Sequence, residues 1–444
     1  MDVELIAILS RVQFGFTAAF HIIFPTLLIG LSTFLSYIYW RWLYSNNPVY
    51  IQIYTLWLKI LVLIYVVGAI SGVALSAQLD YVFSGFYHYT EDALLPIRKV
   101  ELVMAILLEG GCIGVMLLLT KPEYARARFA VTLLFNFGVF VTAFLVISRN
   151  SWMNTPAGVE WVDGYAVVVS YWEVVFNPSF PLRYVHMMVA GLLASGFFVL
   201  GVSAYSLARK IKPEVSKKSM ELALVACCAL SFLQILVGDL HGHDAYQNQP
   251  IKVAAMEGQW ETERGAGFNI FAVPDAESEE NKYELEIPNA LSLILTYDPQ
   301  GEVIGLNEVE ADLRPNVPIV FFSFRIMLLA ALLMLLTACL GVYLKRNKRL
   351  FDQGYLRLAM FMTPAGLVAV IAGWMVAEVG RQPWVVYGVI KTSEVVSATS
   401  THQVLVSMTI FSILYCLLSV MFILYLRRIL TSNSMLDSHR PVTT

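Results

Sequence analysis

Nine apolar runs recur along this chain of 444 residues, near 12 to 40, 53 to 79, 100 to 119, 127 to 148, 183 to 207, 219 to 237, 317 to 344, 358 to 379 and 403 to 426. About 20 apolar residues in a helix cross the hydrocarbon core of a bilayer, so each run is long enough, or nearly so, to span. Lipid offers no partner for backbone N–H and C=O groups, which leaves α-helix as the form such runs take. The expected fold class is an all-α polytopic membrane protein with nine transmembrane helices and a large extracytoplasmic loop between helices six and seven. A composition with 58% hydrophobic and 14% charged residues and a mean hydropathy of +0.66 excludes a soluble globular protein.

Charge is sorted between the two sets of loops. Arg41, then Lys121, Arg126 and Arg128, then Arg209 to Lys218, then Lys345 to Arg357, and finally Arg427 and Arg428 fall on one side. On the other side, residues 261 to 312 carry 13 Asp and Glu against Arg264 and Lys282 alone. The positive-inside rule then puts the N-terminus outside and the C-terminus in the cytoplasm. The net charge of −3 averages over both faces and points to no nucleic-acid partner. Residues 1–237 form helices one to six, 238–316 the outer loop, and 317–444 helices seven to nine with a cytoplasmic tail. Asp2 and Glu4 lead straight into a full-length span, so the first helix is expected to be its own insertion signal. All five cysteines fall inside spans and read as packing residues.

Ionisable side chains within spans mark candidate sites. Glu378 stands in the last turn of span eight, before Gly380 and Pro383, at the negative end of the helix dipole. It calls for a cation or a metal, and Arg381 three residues on offers a simple closing pair. In span three, Glu101 and Glu109 lie eight residues and about 12 Å apart along the axis, broadly on one side. That spacing suits a proton relay, although Glu101 is also placed to pair with Arg98. His21, His186 and Met327 project to the same outer third of the bilayer as Glu101 and Glu378, and histidine and methionine are ligands for haem iron. Packing roles for all three remain open. Trp152, Trp161 and Trp172 suit an interfacial belt. In the outer loop, Lys252 and Glu257 flank an apolar patch on a short helix, either as a solvated turn or as a site. His241, His243 and Asp244 fit no strong metal spacing. The string Tyr297-Asp-Pro-Gln-Gly301 reads as a hairpin turn between Leu291 and Leu306.

Four strings carry a resemblance. Gly380-Arg-Gln-Pro-Trp384 after Trp374 and Glu378, Phe324-Arg-Ile-Met327, Ser151-Trp-Met153, and Lys252-Val-Ala-Ala-Met-Glu257-Gly together resemble subunit I of cytochrome bd-type quinol oxidases. The match runs from His21 to the last span. The short outer loop resembles the short-loop type, and Gly238-Asp-Leu-His-Gly242 with Gln249-Pro-Ile-Lys252 resembles the cyanide-insensitive branch.

The resemblance implies a quinol:oxygen oxidoreductase that reduces oxygen to water and builds a proton-motive force without pumping. It implies a low-spin haem b on His186 and Met327, with His21 and Glu378 as axial ligands of a high-spin haem b and of haem d, or a further haem b in its place. Glu101 would sit at or beside the oxygen site and Glu109 would feed it protons. Lys252 and Glu257 would serve quinol oxidation, Arg325 and Arg381 would compensate propionate or other charge, and Trp374 would lie near the haem pair. Membrane quinol, molecular oxygen, a second membrane subunit (subunit II) and a possible small accessory subunit are the implied partners. From the residues alone, an ion path through Glu101, Glu109 and Glu378, or a diheme b-type carrier, stays open.

Overall fold

The computed structural model describes residues 2–397 and 400–432; the tail beyond 432, assigned above to the cytoplasm, lies outside the described residues. Among the described residues nine helices are long and apolar enough to cross a membrane. They are α1 (Asp2–Ser45), α2 (Pro48–Val82), α3 (Ser84–Leu118), α4 (Ala125–Asn154), α5 (Phe180–Ala208), α6 (Pro213–Asn248), α7 (Val317–Arg346), α8 (Gln353–Val379) and α9 (Thr401–Thr431). Several begin on local signals. Asn47 accepts from the Val49 N–H ahead of Pro48, Asn316 accepts from the Ile319 N–H, and Ser400 with Gln403 closes a capping box on α9.

Two helices are irregular. A turn at Met362 to Pro364 interrupts α8, where Pro364 lacks the N–H that a continuous helix needs. In α3, Met104–Glu109 is a π-helical turn. The Tyr65 hydroxyl approaches it, donating to the Ala105 carbonyl at 2.8 Å, and only glycine at 110 leaves room, since a Cβ there would meet that oxygen at 2.8 Å.

Lipid is as apolar as leucine, so close backbone approach and hydrogen bonds, rather than burial from water, hold the spans together. A Cβ at Gly30 would lie 2.2 Å from the Ser195 Cβ, and one at Gly366 would lie 2.4 Å from the Ala194 Cα. Ser195 and Ala194 are neighbours on α5, which therefore packs tightly on α1 and on α8. Polar rungs add to this: the Ser195 hydroxyl donates to the Leu27 carbonyl at 3.1 Å, Ser32 to Asn136 at 2.7 Å, and Gln13 to Ser407 at 2.7 Å. The most apolar stretch of α5 is 67% buried and that of α9 only 11%, so α5 is central and α9 peripheral.

One end of the bundle carries the ordered loops. Strands Val159–Val162 and Tyr165–Val168 form a hairpin, with Trp152 fully buried and bonded to the Ala157 carbonyl at 2.9 Å. Trp152 is thus a core residue and not part of an interfacial belt, while Trp172 is 70% exposed. The long loop holds a helix, Pro250–Glu257, then a hairpin of Phe268–Asp275 on Glu280–Ile287, then a second helix, Ala290–Thr296. The expected hairpin around 297–301 is absent. Leu291 is helical, Tyr297 ends that helix with φ 58°, and Glu302–Val303 pairs instead with Glu263–Arg264. A turn signal in sequence fixes a reversal but not which strand the chain returns to.

The α5–α8 contact sets a test. Gly366→Leu should lower the melting temperature of the purified protein, at an overpacking cost of about 1–3 kcal/mol, because the opposing atom is backbone and cannot yield. Gly111→Ala, with nothing within 4 Å, should leave it unchanged.

Candidate functional site

The loop helix Pro250–Glu257 lies against the bundle and buries both of its charges, Lys252 to 3% and Glu257 to 4% exposure. The solvated turn is therefore ruled out. Five residues apart on a helix, the two charges point about 140° away from each other, and each enters its own polar nest.

The Lys252 ammonium donates to Asn154 at 2.7 Å and to Gln249 at 2.6 Å, and the same Gln249 oxygen accepts from Arg183 at 3.2 Å. Arg381 and Glu378 lie within electrostatic reach of both cations. Glu378 accepts from Arg381 at 2.7 Å, which is the closing pair considered above, and also from Asn150 on α4 at 2.6 Å. Three buried cations thus face Glu378 and, beside Arg183, the half-buried Asp244. Arg381 Nε and Nη1 and Gln249 Nε2 have no hydrogen-bond partner. Burial, reinforced by Arg183 and Arg381, pushes the Lys252 ammonium well below the usual lysine value, with Glu378 opposing. A nest with surplus positive charge and idle donors is suited to an anionic group such as the propionates of a haem.

In the second nest, Arg325 donates to Glu257 and to the Asn269 carbonyl, both at 2.7 Å, and lies over the Phe321 ring at 4.5 Å. Burial raises the Glu257 carboxyl above its ordinary value, and Arg325 opposes that rise. Between the loop helix and the segment after α8 opens a cavity of about 200 Å³. Ile251, Leu313, Trp384 and Tyr387 line it with the Lys252 stem and Gln382.

The three iron-ligand candidates hold separate positions. His21 on α1 rests on Gly72, and its Nδ1 pairs with Ser71 at 3.0 Å, so Nε2 is the nitrogen left for a ligand. His186 on α5 has the Gln234 amide nitrogen 3.3 and 3.2 Å from its two ring nitrogens and the His241 ring at 4.9 Å. The Met327 sulfur on α7 fits against Gly373 of α8, where a Cβ would lie 3.1 Å away. Trp374 is half-buried one turn before Glu378. Imidazoles, a thioether and a carboxylate are a donor set that haem iron accepts.

Glu101 does not pair with Arg98, which forms a two-pronged bond with Asp80 at 2.8 and 2.9 Å. It pairs with Arg149, from α4. Glu109 is buried and accepts from Thr142 at 2.6 Å. In a regular helix the two carboxylates would be about 80° apart; the extra residue in the π turn brings them to within about 20°. Nothing in the sequence announces that turn.

Sequence reasoning also missed Arg149, Asn150 and Asn154, because the apolar run of span four ends at 148 and leaves the polar stretch 148–154 to the loop. It is instead the last two turns of α4, where residues 150 and 154 share a face. Likewise α6 runs on to Asn248, so Gly238–Asp244 is helix rather than loop. His241 faces His186, His243 pairs with the Leu295 carbonyl at 3.0 Å and Asp244 with Asn248 at 3.1 Å. Among the described residues no three such groups converge on a metal site.

Several known proteins are similar to this chain over nearly its whole length. The family "Cytochrome bd terminal oxidase subunit I" matches residues 9–434. The chain is similar to cytochrome bd ubiquinol oxidase subunit 1 of Bacillus subtilis (strain 168), 28% identical over 98% of this chain and 96% of that one. It is also similar to cytochrome bd-II ubiquinol oxidase subunit 1 of Escherichia coli (strain K12), 26% identical over 92% and 93%. The structure of the bd oxidase from Geobacillus thermodenitrificans superposes with a TM-score of 0.89 at 28% identity, covering 97% of this chain and 99% of that one. Since the correspondence takes in every span and the loops between them, the chain belongs to the cytochrome bd terminal oxidase subunit I family.

Proposed function

We propose that this subunit of a terminal respiratory oxidase, a quinol:oxygen oxidoreductase, oxidises membrane quinol at its long loop and holds the haems at the same end of the bundle. The observation that carries the proposal is the shared nest: Lys252 of the loop helix and Arg381 beside the ligand candidate Glu378 lie around the same buried polar cluster. Family membership, which makes the chain an oxidase subunit, decides against the ion-path and simple-carrier readings.

The quinol ring would lie in the cavity beside the loop helix, whose apolar walls suit a flat aromatic head group and whose rim carries Gln382 and Tyr387. Glu257, which stands on the other face of the same helix and does not line that cavity, would take up the quinol proton at one remove. A carboxyl raised by burial is a stronger proton acceptor once ionised than an exposed one, and Arg325 keeps that ionised form tolerable. Lys252, buried and bonded to Gln249 and Asn154, fixes the loop helix against α4 and α5.

His186 and Met327 would hold a low-spin haem b, and His21 and Glu378 the two high-spin haems, of which the oxygen-site one is d or a further b. The idle donors of Arg381 would meet propionates. Haem iron, when bound there, supplies the one-electron and oxygen chemistry. The chain's own share is to orient, insulate and move protons. Ser71 sets the His21 tautomer, Thr142 hydrogen-bonds the buried Glu109, and the π turn carries the acidic line on to Glu101 beside Arg149. With quinol protons released outside and Glu109 drawing from the cytoplasm, charge would separate without a pump. That orientation rests on the sorting of Lys and Arg among the loops, N-terminus outside and C-terminus in the bacterial cytoplasm. A second membrane subunit, with or without a small accessory one, would complete the assembly; a loop without a long extra insertion supports the short-loop type, and the Gly238–Gly242 and Gln249–Lys252 strings support the cyanide-insensitive branch.

Three outcomes test these roles. Quinol oxidation should rise with pH along a limb lying above the ordinary carboxylate value of 4.5, because Glu257 accepts only when ionised; in Glu257→Gln that limb should vanish from the kcat/KM profile. Met327→Leu should turn the low-spin spectrum high-spin, and an unchanged spectrum would remove Met327 from the ligand set. Glu109→Gln should slow oxygen consumption by about 10²-fold or more at intact haem content, with Thr142→Val between it and the wild type.

A further inference from the structure

At the opposite end of the bundle, among the basic loops, a second cavity of about 200 Å³ opens between the α1–α2 and α3–α4 turns. Arg128, at the start of α4, lines it and is only 6% exposed. Its guanidinium lies 5.0 Å from the Tyr54 ring, its Nε has no hydrogen-bond partner, and among the described residues it forms no ion pair. A buried cation without a counter-anion is unfavourable, and the site already described makes no use of it. Lys121 lines the same cavity, its nearest carboxylate being the exposed Glu123 at 3.9 Å. Asn46 and Thr120 add polar groups, while Trp42 and Ile51 form an apolar wall.

We propose that this cavity binds the phosphodiester of an anionic phospholipid, with Arg128 at its floor and Lys121 at its mouth. A phosphate oxygen supplies the counter-charge that Arg128 lacks, and guanidinium and phosphate match in geometry. Two features favour a lipid over a free anion. The apolar wall gives the glycerol and upper acyl chain a surface, and Tyr37, Trp40 and Tyr44, 42%, 47% and 77% exposed near the same end of α1, mark this level as the lipid–water interface. Occupancy would tie the two turns together beneath the Tyr54–Thr132 hydrogen bond of 2.8 Å, at the foot of the helices that carry Glu109 and Thr142.

The assembled oxidase, stripped of lipid, should be titrated with phosphatidylglycerol, phosphatidylcholine and inorganic phosphate, and bound lipid counted by native mass spectrometry. Phosphatidylglycerol should bind about tenfold more tightly than phosphatidylcholine, and Lys121→Gln should weaken it about fivefold, as the loss of one interfacial cation does. Arg128→Gln should remove one tightly held phosphatidylglycerol per complex. Lys121 is 72% exposed, so its variant keeps the test decisive where Arg128→Gln fails to assemble. Equal binding of the two lipids, or unchanged phosphatidylglycerol binding in either variant, would overturn the proposal. Displacement of phosphatidylglycerol by equimolar phosphate would overturn it in favour of a free-anion site.

Discussion

Buried positive charge without enough negative charge to balance it governs the loop-bearing end of this protein. Arg183, Lys252 and Arg381 are each more than nine-tenths buried, and the carboxylates within their reach are Glu378 and Asp244. Such a cluster persists only if neutral dipoles and a further anion complete it. Asn150, Asn154 and Gln249 supply the dipoles, and they come from α4 and from the junction of α6 with the loop helix. The nest thereby pins α4, α5, the loop helix and the end of α8 to one another. Removing one charge would strand the others, an effect of about 3–5 kcal/mol for buried pairs.

The loop and the haem-ligand candidates are therefore mechanically one unit. Under the proposed function quinol is oxidised against the loop helix, and that helix is tied into the same nest as Glu378. The two faces of the loop helix have different jobs. Its Lys252 face anchors the loop, and its Glu257 face presents a carboxyl braced by Arg325, which is itself held by three aromatic rings and a carbonyl.

Elsewhere the membrane imposes a different logic. Small residues such as Gly30 and Gly366 let α1 and α8 close on α5, and a distorted turn in α3, supported by Tyr65, realigns Glu101 with Glu109. The same preference for satisfied charge explains why Glu101 takes Arg149 from a neighbouring helix while Arg98, three residues away in sequence, turns to Asp80.

The nine spans, their alternation and the residues to suspect were legible in the sequence, because twenty-residue apolar runs and charges within them are local properties that lipid makes compulsory. So was the family, from strings around Lys252, Met327 and Glu378. Partnerships were not. That Glu378 meets Asn150, that Lys252 and Glu257 enter separate nests, and that a π turn aligns two carboxylates all depend on which helices pack together and on one inserted residue in a helical turn. Spacing along a chain specifies which face of a helix a residue occupies, and only the packed bundle decides what waits opposite it.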